Sequence, residues 1–274
     1  MNRKVTIFLA ILSVFLLVLA GTGCQKLRAR DNLNKGVQAF RGAQYPAAVD
    51  YFKTAVDLDP DFPTARLYLA NAYMVQYIPG AESEENIRLA KQAEVEFMKV
   101  LEQDPKNTNA LASIALLYFN RKELDVAEQW YRKLTVANPQ YKEAFYTLGV
   151  IAWTKTFQPR MEARAKLGMK PEDPGPIKDK KVREALKAKN IPVIEEGIQS
   201  LDTALKLDAE YDDAMAYLNL LYRERADLSE TVDGYKADTD TADNWVQKTL
   251  ETKKIKAATT PQGGITAEGG EETQ

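Results

Sequence analysis

Four stretches of the chain are variations on one pattern: YFKTAVDLDPDF (51–62), EFMKVLEQDPKN (96–107), WYRKLTVANPQY (130–141) and SLDTALKLDAEY (200–211). Each reads as the end of an amphipathic helix, then an acid or Asn, then Pro, with Ala209 replacing Pro in the last. Pro105 and Pro139 lie 34 residues apart. A period of 20–50 residues marks units that cannot bury an apolar face alone and must stack on neighbours. Such a period signals a solenoid.

The residues inside each period resemble the tetratricopeptide repeat. That family sets a large apolar residue, Gly or Ala, and an aromatic in helix A, then Ala, an aromatic and Ala in helix B. One repeat supplies Leu111, Ile114, Ala115, Tyr118, Ala127, Tyr131, Leu134 and Pro139. The repeat before it has Leu69, Ala70, Tyr73, Ala93, Phe97 and Pro105, and the first has Gly36, Ala48, Phe52, Ala55 and Pro60. A fourth has Leu148, Gly149, Gly197, Leu201 and Ala204, and a fifth helix A carries Leu218 and Tyr222. The physical reason is close approach: small residues sit where helices A and B cross, and aromatics fill the gaps beside them. Proline stops helix B because it lacks the N–H another turn needs. The resemblance implies an all-α, right-handed superhelical solenoid of antiparallel helix pairs, about five repeats over residues 30–255.

Two intervals exceed 34. Pro60 to Pro105 is 45 residues, which places an insertion near 77–89, around YIPGAESEEN (77–86). Pro139 to Ala209 is 70, either one repeat plus an insertion at 154–190 or two degenerate repeats. The insertion is favoured, because two repeats would put Met161 and Ala165 where a small residue and an aromatic belong. Residues 159–168 and 178–189 read as short helices around the PEDPGP turn at 171–176. Residues 237–255, with Trp245 and Leu250, read as a terminal capping helix. From 256 to 274 no apolar period remains, which predicts a disordered tail.

The chain begins with Arg3 and Lys4, then Val5 to Ala20 without a charge, then Gly21, Thr22 and Gly23. This order describes an export signal, and 16 apolar residues fall short of the roughly 20 that span a bilayer. Cys24 follows, the one cysteine of the chain. Placed there, it resembles the lipoprotein box of bacteria, in which the thiol takes a diacylglycerol and the cut falls just before it. Gly21 departs from the Leu preferred three residues earlier. The resemblance implies a signal peptide over 1–23, lipid on Cys24, a tether over 24–29 and a membrane anchor. Gln25, in place of Asp, implies an outer-membrane lipoprotein facing the periplasm. Secretion after a cut near Ala20 and an uncut anchor are the alternatives.

There is no histidine, and no cysteine after residue 24. Ser-His and Cys-His nucleophile pairs, His or Cys zinc sites and disulfides within the mature chain are thereby excluded. No glycine-rich phosphate loop appears, so no cofactor, metal or small-molecule substrate is expected. With Arg3 and Lys4 set aside, 35 basic residues face 39 acidic ones. A net charge of −4 is no nucleic-acid signature. Glu195–Glu196 and Asp212–Asp213 are adjacent and do not share a helix face, so they read as solvated surface. A carboxylate-based enzyme is a remote alternative.

Two surfaces are candidates for function. In the tetratricopeptide family the inner face is lined by helix A side chains. Carried over by position, one column is Phe40, Met74, Phe119, Trp153 and Arg223. A second is Leu33, Leu67, Ala112, Tyr146 and Ala216. A third is Val37, Asn71, Leu116, Val150 and Leu220. Family members that clamp a peptide carboxylate use Lys, Arg and Asn there; here only Asn71 fits. An apolar groove instead suits a helix or an apolar extended segment of a protein partner, unless the insertions or terminal helix cover it. The second surface is 154–190, with 11 Lys or Arg against 5 Asp or Glu. Arg160, Arg164, Lys166, Lys180, Lys181 and Arg183 could meet anionic lipid, envelope polysaccharide or an acidic partner. They could equally be solvated faces with ordinary pairs such as Glu162–Lys166. The expected function is a membrane-anchored scaffold or adaptor for protein–protein contacts in the bacterial envelope. The alternative is binding of envelope polysaccharide or anionic lipid through 154–190.

Overall fold

The 3.6-residue apolar period becomes ten helices and no strand among the described residues, 24–259 of the computed structural model. The predicted signal peptide, 1–23, and residues 260–274 of the predicted tail lie outside them. The helices are α1 (24–41), α2 (Tyr45–Leu58), α3 (Pro63–Gln76), α4 (Glu84–Gln103), α5 (Thr108–Asn120), α6 (Leu124–Ala137), α7 (Lys142–Lys166), α8 (Lys180–Leu207), α9 (Asp212–Asp227) and α10 (Val232–Thr259). The chain divides into two compact units, up to Pro139 and from Gln140 onward. The first holds α1–α6, three helix pairs; the second holds α7–α10, two pairs.

The helix ends follow the sequence period closely. Helices α2, α4, α6 and α8 stop at Asp59, Asp104, Asn138 and Asp208, with φ between −146° and −136° and ψ between 85° and 98°. Each cap N–H still donates to the carbonyl four residues back, at 2.8–3.1 Å. Proline after three of these caps suits them, because a residue before proline avoids the α region. Asp208 takes the same backbone shape before Ala209, so the cap does not need the proline. Side-chain caps begin several helices: Ser83 Oγ accepts from Asn86 N, Asn107 Oδ1 from Ala110 N and Asp179 Oδ1 from Val182 N.

The small residues lie where the repeat needs them. Ala48, Ala55, Ala70, Ala93, Ala115, Ala127 and Ala204 are fully buried. A Cβ added to Gly36 would lie 2.4 Å from the Phe52 ring, and one on Gly197 2.5 Å from the Ala152 Cβ. Helices α7 and α8 therefore cross at contact distance through Gly197, and α1 and α2 through Gly36.

Four expectations need correction. Residues 24–29 are not a loose tether but the first turns of α1, with Ala29 fully buried. Residues 159–168 and 178–189 are not short helices; they are the distal ends of α7 and α8, which pack along each other. Helix α7 continues through Pro159 and α8 through Pro192. Buried Asn190 of α8 donates to the Thr156 carbonyl at 3.5 Å, just upstream of Pro159, and ties the two helices together there. The terminal helix is longer than 237–255. It runs to Thr259, with Lys256 ion-paired to Asp212 at 2.5 Å, so residues 256–259 are not part of a disordered tail.

Candidate functional site

In the first unit the predicted inner-face residues come from α1, α3 and α5. Leu33, Phe40, Leu67, Met74 and Phe119 are half-buried, and Leu116 is 42% exposed. Phe40 meets Tyr45 edge-on at 5.3 Å. Asn71, the one residue that fits a carboxylate clamp, is engaged internally: its Nδ2 donates to the Leu67 carbonyl at 3.0 Å, and its Oδ1 accepts from Ser113 Oγ at 3.3 Å. What remains are apolar side chains on three alternate helices, α1, α3 and α5, partly open to water. Beside them Tyr118 donates to Glu94 at 3.0 Å; burial and that carboxylate push its hydroxyl up to about 12.

In the second unit Tyr146 and Trp153 are half-buried too and Arg223 is exposed, but the two rings rest on aromatic neighbours. Trp153 lies 5.7 Å from Tyr217 of α9 and 4.9 Å from Phe157, while Tyr146 lies 5.6 Å from Tyr217 and 5.1 Å from Tyr211. These rings pack on the core formed by Ile177, Ile194, Leu201, Leu218 and Leu221. Burial pushes the Tyr146 hydroxyl up, and that of Tyr211 to about 12. Arg223 bonds to Asn219 at 2.9 Å and to Asp243 of α10 at 2.5 Å. Trp153 thus meets Phe157 of the inserted stretch and Tyr217 of the next helix A, where sequence reasoning looked to the insertions or the terminal helix.

The basic stretch 154–190 changes meaning most. Arg160 and Arg164 are not surface charges. Arg160 Nε donates to Glu224 at 2.8 Å and its Nη1 to Asp227 at 2.5 Å. Arg164 Nη1 donates to both Asp227 oxygens at 2.8 and 3.0 Å. Its Nη2 donates to the carbonyls of Lys170 and Asp173, at 2.9 and 2.5 Å. Arg164, Glu224 and Asp227 are each no more than 3% exposed. The two arginines thus fasten the 167–179 loop and the end of α7 to α9, and Ile177 N donates to the Asp227 carbonyl at 3.0 Å in the same place. Burial raises Glu224 to about 6 against the opposing pull of Arg160. Burial works against charge on Arg160 too, but Glu224 and Asp227 outweigh it and hold the guanidinium above its ordinary value. Arg183 donates to the Ile177 carbonyl at 2.6 Å. Lys166, Lys180 and Lys181 are exposed.

Sequence reasoning passed over Glu224 and Asp227. A signal was available: they are three apart and share a face of α9, and Arg160 and Arg164 are four apart and share a face of α7. Of the adjacent carboxylates, Glu195, Glu196 and Asp213 are exposed, and only Asp212 is half-buried. Asp212 takes Lys256 at 2.5 Å and Lys253 at 3.8 Å, and the Lys256 bond lowers its pKa; Glu195 lies 3.5 Å from Arg225. No group of acids capable of holding a metal occurs among the described residues, and no described helix is long and apolar enough to cross a membrane. Cys24 is exposed, with a free thiol.

Comparison with known proteins agrees with this architecture. Residues 33–76 and 91–142 match the tetratricopeptide repeat family model. Among solved structures, MamA shares 16% identity, with 81% of this chain and 96% of that one aligned and a TM-score of 0.55. MamA from Desulfovibrio magneticus RS-1, residues 41 to the end, shares 18% over 83% of this chain and 96% of that one, TM-score 0.55. YrrB, described as a TPR protein with an unusual peptide-binding site, shares 14% over 81% and 90%, TM-score 0.51. At such identities the likeness is one of fold. No curated protein matches the chain.

Proposed function

We propose that this chain, which carries tetratricopeptide repeats in a tetratricopeptide-type fold, is a protein–protein scaffold held at a bacterial membrane through lipid on Cys24. The observation that carries the scaffold reading is the apolar strip of the first unit, Phe40, Met74, Leu116 and Phe119. These apolar side chains stay partly in water, Leu116 the most. Such a strip suits an apolar helix or extended segment of a partner, and a solved neighbour of the same fold is described as having a peptide-binding site.

The anchor reading rests on the charged start, the 16 uncharged residues and Cys24. Buried Ala29 lies only five residues after Cys24, so lipid there would hold the first unit close to the bilayer. Each buried CH₂ of such chains stabilises membrane binding by about 0.8 kcal/mol. Binding of anionic polymer through 154–190 loses support, since two of its six named side chains are internal.

The tests are direct. Partners are cross-linked and purified from detergent-solubilised membranes. Phe119→Ala should weaken the principal partner by about 2 kcal/mol and leave the melting temperature nearly unchanged, because Phe119 is half-exposed. A large loss of stability, or no loss of binding, contradicts the scaffold strip. Cys24→Ser should release the protein or leave it as an uncut precursor. An unmodified Cys24 thiol by mass spectrometry of the wild type ends the lipoprotein reading.

A further inference from the structure

The repeat model skips residues 77–90, and these residues build a feature that the repeat itself lacks. They lengthen α4 at its start and fix a loop against it. Asn86, 4% exposed, ties that loop down: its Oδ1 accepts from Ile78 N at 2.7 Å, and its Nδ2 donates to the carbonyls of Ile78 and Ala81, both at 2.8 Å. The start of α4 is thereby a rigid wall facing α2. Between the two helices, with the end of α3 beneath, lies a cleft of about 270 Å³. Glu85, Arg88 and Leu89 of the inserted stretch line one side, and Val49, Asp50 and Lys53 the other.

Tyr73 of α3 also lines the cleft and is only 6% exposed. Its hydroxyl has no hydrogen-bond partner among the described residues, and it is not among their buried unpaired polar atoms, so it is open to a ligand's donor or acceptor. Burial pushes its pKa up, with Glu96 and Asp50 adding to the rise and Arg88 opposing it, so the hydroxyl feels charges on both walls. Glu85 and Arg88 satisfy each other at 2.6 Å. Asp50 and Lys53, three apart on α2, form no ion pair among the described residues. The four charges sum to zero, which does not favour a polyanion. The volume lies near the lower edge of ligand pockets, enough for a short extended segment and too little for a docked helix.

We infer that this cleft is a second, separate binding site, which takes a short extended polypeptide segment of a partner bearing one basic and one acidic side chain. The basic group meets Asp50, the acidic group meets Lys53, and a backbone amide or side chain of the segment completes the Tyr73 hydroxyl. The site shares no residue with the apolar strip of α1, α3 and α5, so either can stand without the other.

The probe is a displayed library of random heptapeptides, selected against the full chain in detergent. Selected peptides are resynthesised with blocked ends and titrated onto wild type, Tyr73→Phe, the charge-swapped Asp50→Lys/Lys53→Asp double variant, and Phe119→Ala. Enriched peptides should contain both an acid and a base. They should bind the charge-swapped protein about tenfold more weakly or worse and Tyr73→Phe about fivefold more weakly, and Phe119→Ala should match wild type. Melting temperatures should not move, because the altered α2 side chains are exposed and the phenol oxygen has no internal partner. The proposal is overturned if no peptide is enriched, or if enriched peptides bind the Tyr73 and charge-swapped variants as tightly as wild type. Peptides that lose affinity only with Phe119→Ala would remove the cleft while leaving the scaffold strip intact.

Discussion

Replacing Arg164 by Met separates a structural arginine from a surface one. The methionine keeps an unbranched stem in the same place and removes the guanidinium alone. The structure predicts three losses: the pair with Asp227 at 2.8 Å, and the bonds to the Lys170 and Asp173 carbonyls. Breaking a buried pair by removing one partner costs about 3–5 kcal/mol, because the other charge stays desolvated. Asp227 retains Arg160 at 2.5 Å, which places the cost at the lower end, about 3–4 kcal/mol. For a unit of this size that amounts to a fall of about 10–15 °C in melting temperature. Circular dichroism melts of the full chain measure it. Hydrogen exchange locates it, since deprotection should concentrate in the 167–179 loop and the end of α9. Lys181→Met, exposed on α8, is the control and should stay within about 0.5 kcal/mol. Equal melting of the two variants would refute the argument, above all if Arg164→Met also lost binding to an anionic polymer. Arg164 would then be the surface charge that a simple count suggests.

Glu224 makes stability depend on pH. Its folded value of about 6 lies above the ordinary 4.5, so the folded state holds the proton more tightly than the unfolded chain does. The stabilisation is present in full below about 4.5 and is lost as pH rises through about 6, a swing of about 2 kcal/mol. Denaturant melts across this range should show it, and Glu224→Gln should flatten it. Gly197→Ala sets two effects against each other. Helix propensity gains about 1 kcal/mol, but the new Cβ would lie 2.5 Å from the Ala152 Cβ, which only a backbone shift can move. Overpacking costs about 1–3 kcal/mol and here takes the upper part of that range, so we expect a net loss of about 1–2 kcal/mol in melts; a gain would mean that α7 and α8 can separate cheaply.

Much of the fold is legible in the chain because its pattern is local. The spacing of Leu111, Ala115 and Tyr118 within α5, and of Ala127 and Tyr131 within α6, needs only the helical period to place those side chains on one face. The caps at Asp59, Asp104, Asn138 and Asp208 repeat the same way. The candidate sites were less legible. Register alone assigned Phe119 and Trp153 to one column, and both are half-buried, but no local pattern told that Trp153 would meet Tyr217, 64 residues further on. Residues 159–168 and 178–189 read as separate short helices, but they belong to α7 and α8, which run through Pro159 and Pro192 and pack along each other.

By itself, then, the sequence determined the helix pairs, their small-residue crossings and the places where the period fails, since these depend on side-chain size and spacing within a few turns. Only the tertiary structure decided which charges are desolvated. Arg160 and Arg164 become an internal fastening because Glu224 and Asp227, more than 60 residues away, are brought to them. The same holds at Tyr73, which lines a cleft between α2 and α4 although the repeat pattern marks it only as core. Burial is a property of what arrives from elsewhere in the chain, and no local period encodes it.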